Sequence, residues 1–192
     1  MKCPRLLGLC TLAWLAWPAL AWPAGPVTRV APSAPVVSES ELKAAYLYNF
    51  VRFVRREHEP ATPPTGPVEI AVLGDEALAR ALERLSHGKQ IDGREIRVAT
   101  VQSLRELHGF DVVFVGLGAA ELAGRAVEQL RDEPVLTVGE AEDFAIRGGM
   151  IELYFEARKL RFEINAGAAD RSGLKISSNL LSLASAVHRP HS

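Results

Sequence analysis

Glu152 and Glu156 recur on the charged side of one alternating segment, and two carboxylates brought together could share acid and base work in a hydrolase. Arg161, on the segment that follows, gives a plainer reading: an ion pair across neighbouring strands. Five histidines, His58, His87, His108, His188 and His191, fall in loops or near the chain end, and none has a second His or Cys at ligand spacing on a predicted helix. His188 and His191 fit a polar tail better than a metal site. Gly116-Leu117-Gly118 follows a buried strand and opens a helix, the place of a dinucleotide fingerprint. Glu121 stands where a third glycine is wanted, however, and its carboxylate would repel a pyrophosphate; two glycines for a tight turn are the simpler account. There is no Gly-x-Ser-x-Gly elbow, no phosphate-binding loop ending in Gly-Lys-Ser/Thr and no His-Glu-x-x-His pair. The residues thus predict no catalytic group, no cofactor and no metal.

What the chain must position is set by its bounds. At 192 residues it is long enough for one well-cored domain. Lys2 and Arg5 precede an apolar run from Leu6 to Leu20, and Ala19-Leu20-Ala21 offers the small residues that signal peptidase reads, so residues 1–21 are expected to be a secretory signal peptide. A membrane anchor would want about 20 apolar residues, and this shorter run holds Pro18. Lipid attachment at Cys10 would place the bulky Leu9 where a small residue is preferred. Cleavage removes both cysteines, so the exported chain forms no disulfide and stays outside the membrane. It leaves 20 Lys and Arg against 23 Asp and Glu, a formal charge of -3, which argues against nucleic acid as a partner.

Residues 22–37, with four prolines and no apolar period, read as a disordered tether. A single domain over 38–188 and a tail over 189–192 complete the expected layout. Ser38 and Glu41 have the spacing of a capping box, opening a helix to about Arg56 with Leu42, Tyr46, Phe50, Phe53 and Val54 on one face. Strands are expected at Val68–Leu73, Arg94–Val101, Asp111–Val115 and Pro134–Val138, with helices after Asp75 and from Ala119 to Arg131. Gly88–Gly93 reads as a polar turn, and Glu140–Arg147 as a short acidic helix stopped by Gly148-Gly149. Ile151, Leu153 and Phe155 alternate on one side of a strand, as do Leu160, Phe162 and Ile164 on the next, a hairpin turned at Ala157–Lys159. A short helix and a final one, from Ser177 or Ser178 to Val187, follow. In the final helix Leu180, Leu183, Ala184 and Val187 share the core spacing, and Leu181 lies off that stripe.

Strands alternating with helices predict an α/β fold: a mainly parallel sheet with helices on both faces, a Rossmann-like three-layer sandwich extended at one edge by the antiparallel hairpin. The unassigned surface of the C-terminal third then becomes the expected partner site, at Arg161, Glu163, Lys175, Ser178 and Leu181. An alternative is a periplasmic small-ligand-binding domain that uses the crevice at the strand C-terminal ends, near Gly74-Asp75 and Gly116-Leu117-Gly118.

Taken together, LKAAYLYNFVRFV (Leu42 to Val54), IAVLGD (Ile70 to Asp75), GKQIDGREI (Gly88 to Ile96), DVVFVG (Asp111 to Gly116), VLTVGE (Val135 to Glu140), FAIRGGMI (Phe144 to Ile151), RFEIN (Arg161 to Asn165) and GLKISSNLLSLA (Gly173 to Ala184) resemble the YfiR family. Its members are periplasmic proteins that repress membrane-bound diguanylate cyclases. The resemblance implies a compact α/β domain that tends to dimerise and is not an enzyme. It also implies two partners. One is the periplasmic sensor domain of a YfiN-type inner-membrane cyclase, held inactive so that cyclic di-GMP stays low and biofilm formation is restrained. The other is a YfiB-type OmpA-like outer-membrane lipoprotein that sequesters the repressor. Some members carry disulfides; the exported chain has no cysteine, so redox control through such bonds does not carry over.

Overall fold

The structure, a computed structural model, describes residues 37–57 and 66–189. The expected signal peptide, all of the tether but Val37, and His58 and His191 lie outside the described residues. Helix α1 (Glu39–Phe53) starts at a complete capping box: the Ser38 hydroxyl accepts from the Glu41 amide at 3.2 Å, and the Glu41 carboxylate accepts from the Ser38 amide at 2.9 Å. Ser38→Ala is expected to lower stability by about 0.5–2 kcal/mol in a denaturant titration. An unchanged midpoint would show that the first turn is held by tertiary contacts instead.

The main sheet has eight strands in the order β10-β8-β7-β6-β5-β2-β4-β3. Its centre is β4 (Arg94–Val101), β2 (Val68–Leu73), β5 (Val112–Val115), β6 (Leu136–Gly139) and β7 (Ile151–Glu156), all parallel. Antiparallel pairs join β7 to β8 (Lys159–Asn165) and β4 to the short β3 (Gln90–Ile91), while β10 (Ala186–His188) returns parallel to β8. The sheet is therefore mixed, which corrects the expectation of a mainly parallel, Rossmann-like one. The hairpin is also not the edge, because β10 lies outside it.

Helices do lie on both faces. Helix α2 (Glu76–Ser86) packs with α1 over Ile70, Val72, Phe114, Val138, Leu153 and Phe162. Helix α3 (Ala123–Leu130) and the 3₁₀ turn before it cover Ala71, Leu73, Val113 and Val115 on the other face. Right-handed crossovers put successive helices on opposite faces once the strand order reverses, and here it reverses between β2 and β5. The hairpin reading holds for five of its six apolar positions: Ile151, Leu153, Leu160, Phe162 and Ile164 are buried, whereas Phe155, expected beside them, is 41% exposed near the turn, and Lys159, expected in the turn, is already paired in β8. Phe162 makes edge-on contacts with Phe50 and Tyr46 of α1, at centroid distances of 5.0 and 6.1 Å.

Four expectations change. Helix α1 stops at Phe53, and Val54–Arg56 becomes β1, paired antiparallel with β9 (Leu174–Ile176) in a separate ribbon. Residues 140–147 form turns instead of a helix. The final helix, α5 (Ser178–Leu183), ends early because Ala184 is extended and the chain then pairs with the open edge of β8. Gln90–Ile91, read as part of a turn, pairs with Glu95 and Arg94 as β3. The short helix after the hairpin is α4 (Ala166–Arg171), capped by Asn165.

Candidate functional site

The crevice at the C-terminal ends of β2 and β5 is closed. A Cβ on Gly118 would stand 2.5 Å from the Gly74 carbonyl oxygen, and one on Gly74, whose φ is +78°, 2.6 Å from the Ala119 amide. These glycines let two loops press backbone to backbone, and no space for a ligand is left between them. The small-ligand reading at this position is thereby corrected.

Beside the closed loops lies a feature absent from the sequence reading. Lys43, on the buried side of α1, has a side chain only 7% exposed and meets Glu140 at 2.7 Å, Glu39 at 2.9 Å and Asp75 at 3.6 Å. Asp75 is positioned as the cap of α2, its other oxygen accepting from the Leu78 amide. Glu140, at the end of β6, is 5% exposed in its side chain, and its Oε2 has no hydrogen-bond partner among the described residues. Burial pushes the Glu140 carboxyl above its ordinary range, with Asp75 adding to the effect, against the pull of the Lys43 ammonium. Burial also works against charge on Lys43, but its carboxylate partners outweigh this and raise its pKa. The carboxylates around Lys43 thus set its direction, whereas Glu140 is raised chiefly by burial, to which the nearby Asp75 charge adds less.

Glu152 and Glu156 do not converge: four residues along a strand separates them by about 13 Å. Glu156 pairs with Arg161 at 2.6 Å, as the cross-strand reading expected. Glu152 instead accepts from the Ala145 amide at 3.0 Å, while Asn165 donates to the Ala145 carbonyl at 2.7 Å, so the two side chains hold the loop between β6 and β7. Burial raises the Glu152 pKa, with Glu163, its cross-strand neighbour, and Asp143 adding to it. Among the described residues, no group of three His, Cys, Asp or Glu side chains is placed to hold a metal ion.

The five residues singled out for a partner fall on different sides of the sheet. Arg161 and Glu163 point away from α1, on a face of β7, β8 and β10 that contributes nothing to the second core. There Glu163 accepts from Tyr154 at 3.4 Å and meets His188 of β10 at 2.8 Å. Lys175 sits on the β1–β9 ribbon, paired with Glu57 at 3.0 Å. Ser178 is exposed at the start of α5, and Leu181 is half-buried against the α1 side of the core. Leu183, expected in the core, is 70% exposed, since the stripe turns outward where α5 ends. Leu183→Gln is therefore expected to shift stability by no more than about 0.5 kcal/mol. A clear loss in a thermal melt would mean that the side chain is covered in solution.

An α/β domain with a filled switch-point crevice, an uncovered polar sheet face and a free strand edge at β10 offers surface, with no converging catalytic groups among the described residues. The family model described as YfiR/HmsC-like matches residues 40–185, and the chain belongs to that family. No curated protein matches it. Among solved structures, a conserved domain protein from Vibrio cholerae is similar at 17% identity and TM-score 0.49, over 78% of this chain and 60% of that one. The ABC domain from Streptococcus pneumoniae, solved in complex with L-Trp, is similar at 12% identity and TM-score 0.52, over 77% and 60% of the two chains. The latter likeness is one of fold. The chain spans about 60% of the length of each of these structures. Among the described residues, no helix is long and apolar enough to cross a membrane.

Proposed function

We propose that the protein is a periplasmic, non-enzymatic regulator that binds the periplasmic sensor domain of an inner-membrane diguanylate cyclase and holds it inactive, lowering cyclic di-GMP. Membership of the YfiR/HmsC-like family over residues 40–185 carries this reading. Residues 1–21 would direct export and be cleaved, and residues 22–37 would tether the domain. Repression of this kind needs no chemistry, only tighter binding to the inactive state of the cyclase than to the active one. An OmpA-like outer-membrane lipoprotein would relieve it by competing for the repressor, and a second copy of the chain could pair with it.

The partner would grip the β10 edge. That edge separates Arg161 and Glu163 on one side of the sheet from Ser178, Leu181 and the exposed Leu183 on the other, with Lys175 on the adjoining ribbon. Co-purification with the sensor domain, followed by crosslink mapping, tests the placement. Crosslinks are expected between residues 161 and 188; crosslinks confined to α1 would overturn it.

A further inference from the structure

We propose that a hollow between α3, β6 and α4 binds a tetrahedral oxyanion, inorganic phosphate or the phosphate end of a monoester. Arg131 at the end of α3, Arg147 in the loop before β7 and Arg171 in the last turn of α4 all line it, with Glu128 as the one carboxylate. Three guanidiniums against one carboxylate leave an excess of two positive charges, in a chain whose formal net charge is -1. Among the described residues Arg147 and Arg171 have no ion pair or hydrogen bond, and Arg131 reaches the exposed Glu128 only at 3.5 Å. Like charges gathered around one space repel, and an anion placed among them turns that cost into attraction.

Beneath the arginines the floor is buried. Ser172 donates its hydroxyl to the Arg131 carbonyl at 2.7 Å, and Thr137, only 4% exposed, accepts from the Met150 amide at 3.1 Å. The hydroxyl proton of Thr137 has no acceptor among the described residues, which leaves a buried donor in the wall of the hollow. A glycine seats one of the guanidiniums. A Cβ on Gly124 would stand 3.0 Å from Nη2 of Arg147, so that guanidinium lies against the bare backbone of α3. Glycine within a helix costs about 0.5–1 kcal/mol relative to alanine, and no turn requires it at this position; room for Arg147 accounts for it.

Size selects the ligand. The enclosed space is about 40 Å³, too small for an organic body and sufficient for a few water-sized groups. One or two oxygens of a tetrahedral dianion fit there beside Thr137, and the others meet the guanidinium forks at the mouth. A metal cation is excluded by charge, and a carboxylate brings less charge and only two oxygens.

The site lies apart from the β10 edge, and its test does not use the cyclase. The purified protein is titrated calorimetrically at about pH 8, where phosphate and its monoesters are dianions, with inorganic phosphate and with glycerol 3-phosphate. Acetate and chloride at matched ionic strength are the controls. At least one phosphate should bind saturably below about 1 mM and raise the melting temperature, and acetate should bind at least about tenfold more weakly. Whichever phosphate binds more tightly identifies the source, free ion or monoester. Arg147→Gln with Arg171→Gln removes two exposed and unpaired side chains, so it should weaken phosphate at least about tenfold and leave the melting temperature of the free protein near that of the wild type. If that double variant melts early, amide chemical-shift changes in the wild type decide instead, and they should centre on Thr137, Gly148 and Ser172. Saturable binding of neither phosphate, equal binding of acetate, undiminished binding by the folded double variant, or shift changes confined elsewhere would overturn the proposal.

Discussion

Replacing Lys43 by methionine should cost the folded protein about 3–5 kcal/mol at neutral pH, because it leaves Glu140 buried without its counter-charge. For a domain of this size, that is a fall in melting temperature of about 10 °C or more. The loss should depend on pH in a definite sense. The Glu140 pKa is raised in the folded state, so the folded protein holds that proton more tightly than the unfolded chain does. Its contribution to stability is present in acid, below the ordinary carboxylate value, and is lost as pH rises through the raised value. Removing the ammonium raises the pKa further. The deficit of Lys43→Met should therefore be largest at neutral pH and shrink as the solution approaches the ordinary glutamate range. Adding Glu140→Leu to Lys43→Met should recover most of the stability, since replacing both partners of a buried pair by apolar groups is often neutral or better. Denaturant titrations of the three proteins across pH measure this. A deficit under about 1 kcal/mol, or one that grows toward acid, would contradict the role given to the cluster.

Phe144→Ala should cost about 3–5 kcal/mol. This ring, 2% exposed, fills the space between Gly139 and Gly149, at the two ends of the loop that joins β6 to β7. A Cβ on Gly139 would stand 2.5 Å from a ring carbon, and a Cβ on Gly149 would collide with the same ring. Gly149→Ala alone should thus cost at least about 1–3 kcal/mol through overpacking. In the Phe144→Ala background the same change should be nearly neutral, giving a coupling energy well above the few tenths expected of independent sites. Additive effects of the two substitutions would show that the glycine is required for its backbone alone.

The central strands and the hairpin were legible because each has a strong local signature. Val112 to Val115 is a run of four buried apolar residues, and Ile151 to Ile164 alternates with a period of two on both sides of its turn. The edges were not legible. β1, β3, β9 and β10 are two or three residues long, too short for a period, and all but β3, which pairs with the neighbouring β4, are fixed by distant partners, as Val187 is by Ile164. In α5 the helical spacing of Leu180, Leu183 and Val187 loses to the unpaired edge of β8, which offers backbone hydrogen bonds to an extended chain. Lys43 shows why the buried cluster was missed. A lysine on an amphipathic helix reads as solvated, and the carboxylates that make its burial tolerable arrive from Asp75 and Glu140, far along the chain. The crevice was misjudged for a related reason: glycines at a switch point can admit a ligand or a second loop, and only the distance from Gly118 to Gly74 decides between them.

The most direct test of the proposed function is the level of cyclic di-GMP in cells that lack this gene but express the cyclase beside it. The account predicts a rise, reversed by supplying the wild-type protein. An unchanged level, with the cyclase shown to be present and active, would contradict it.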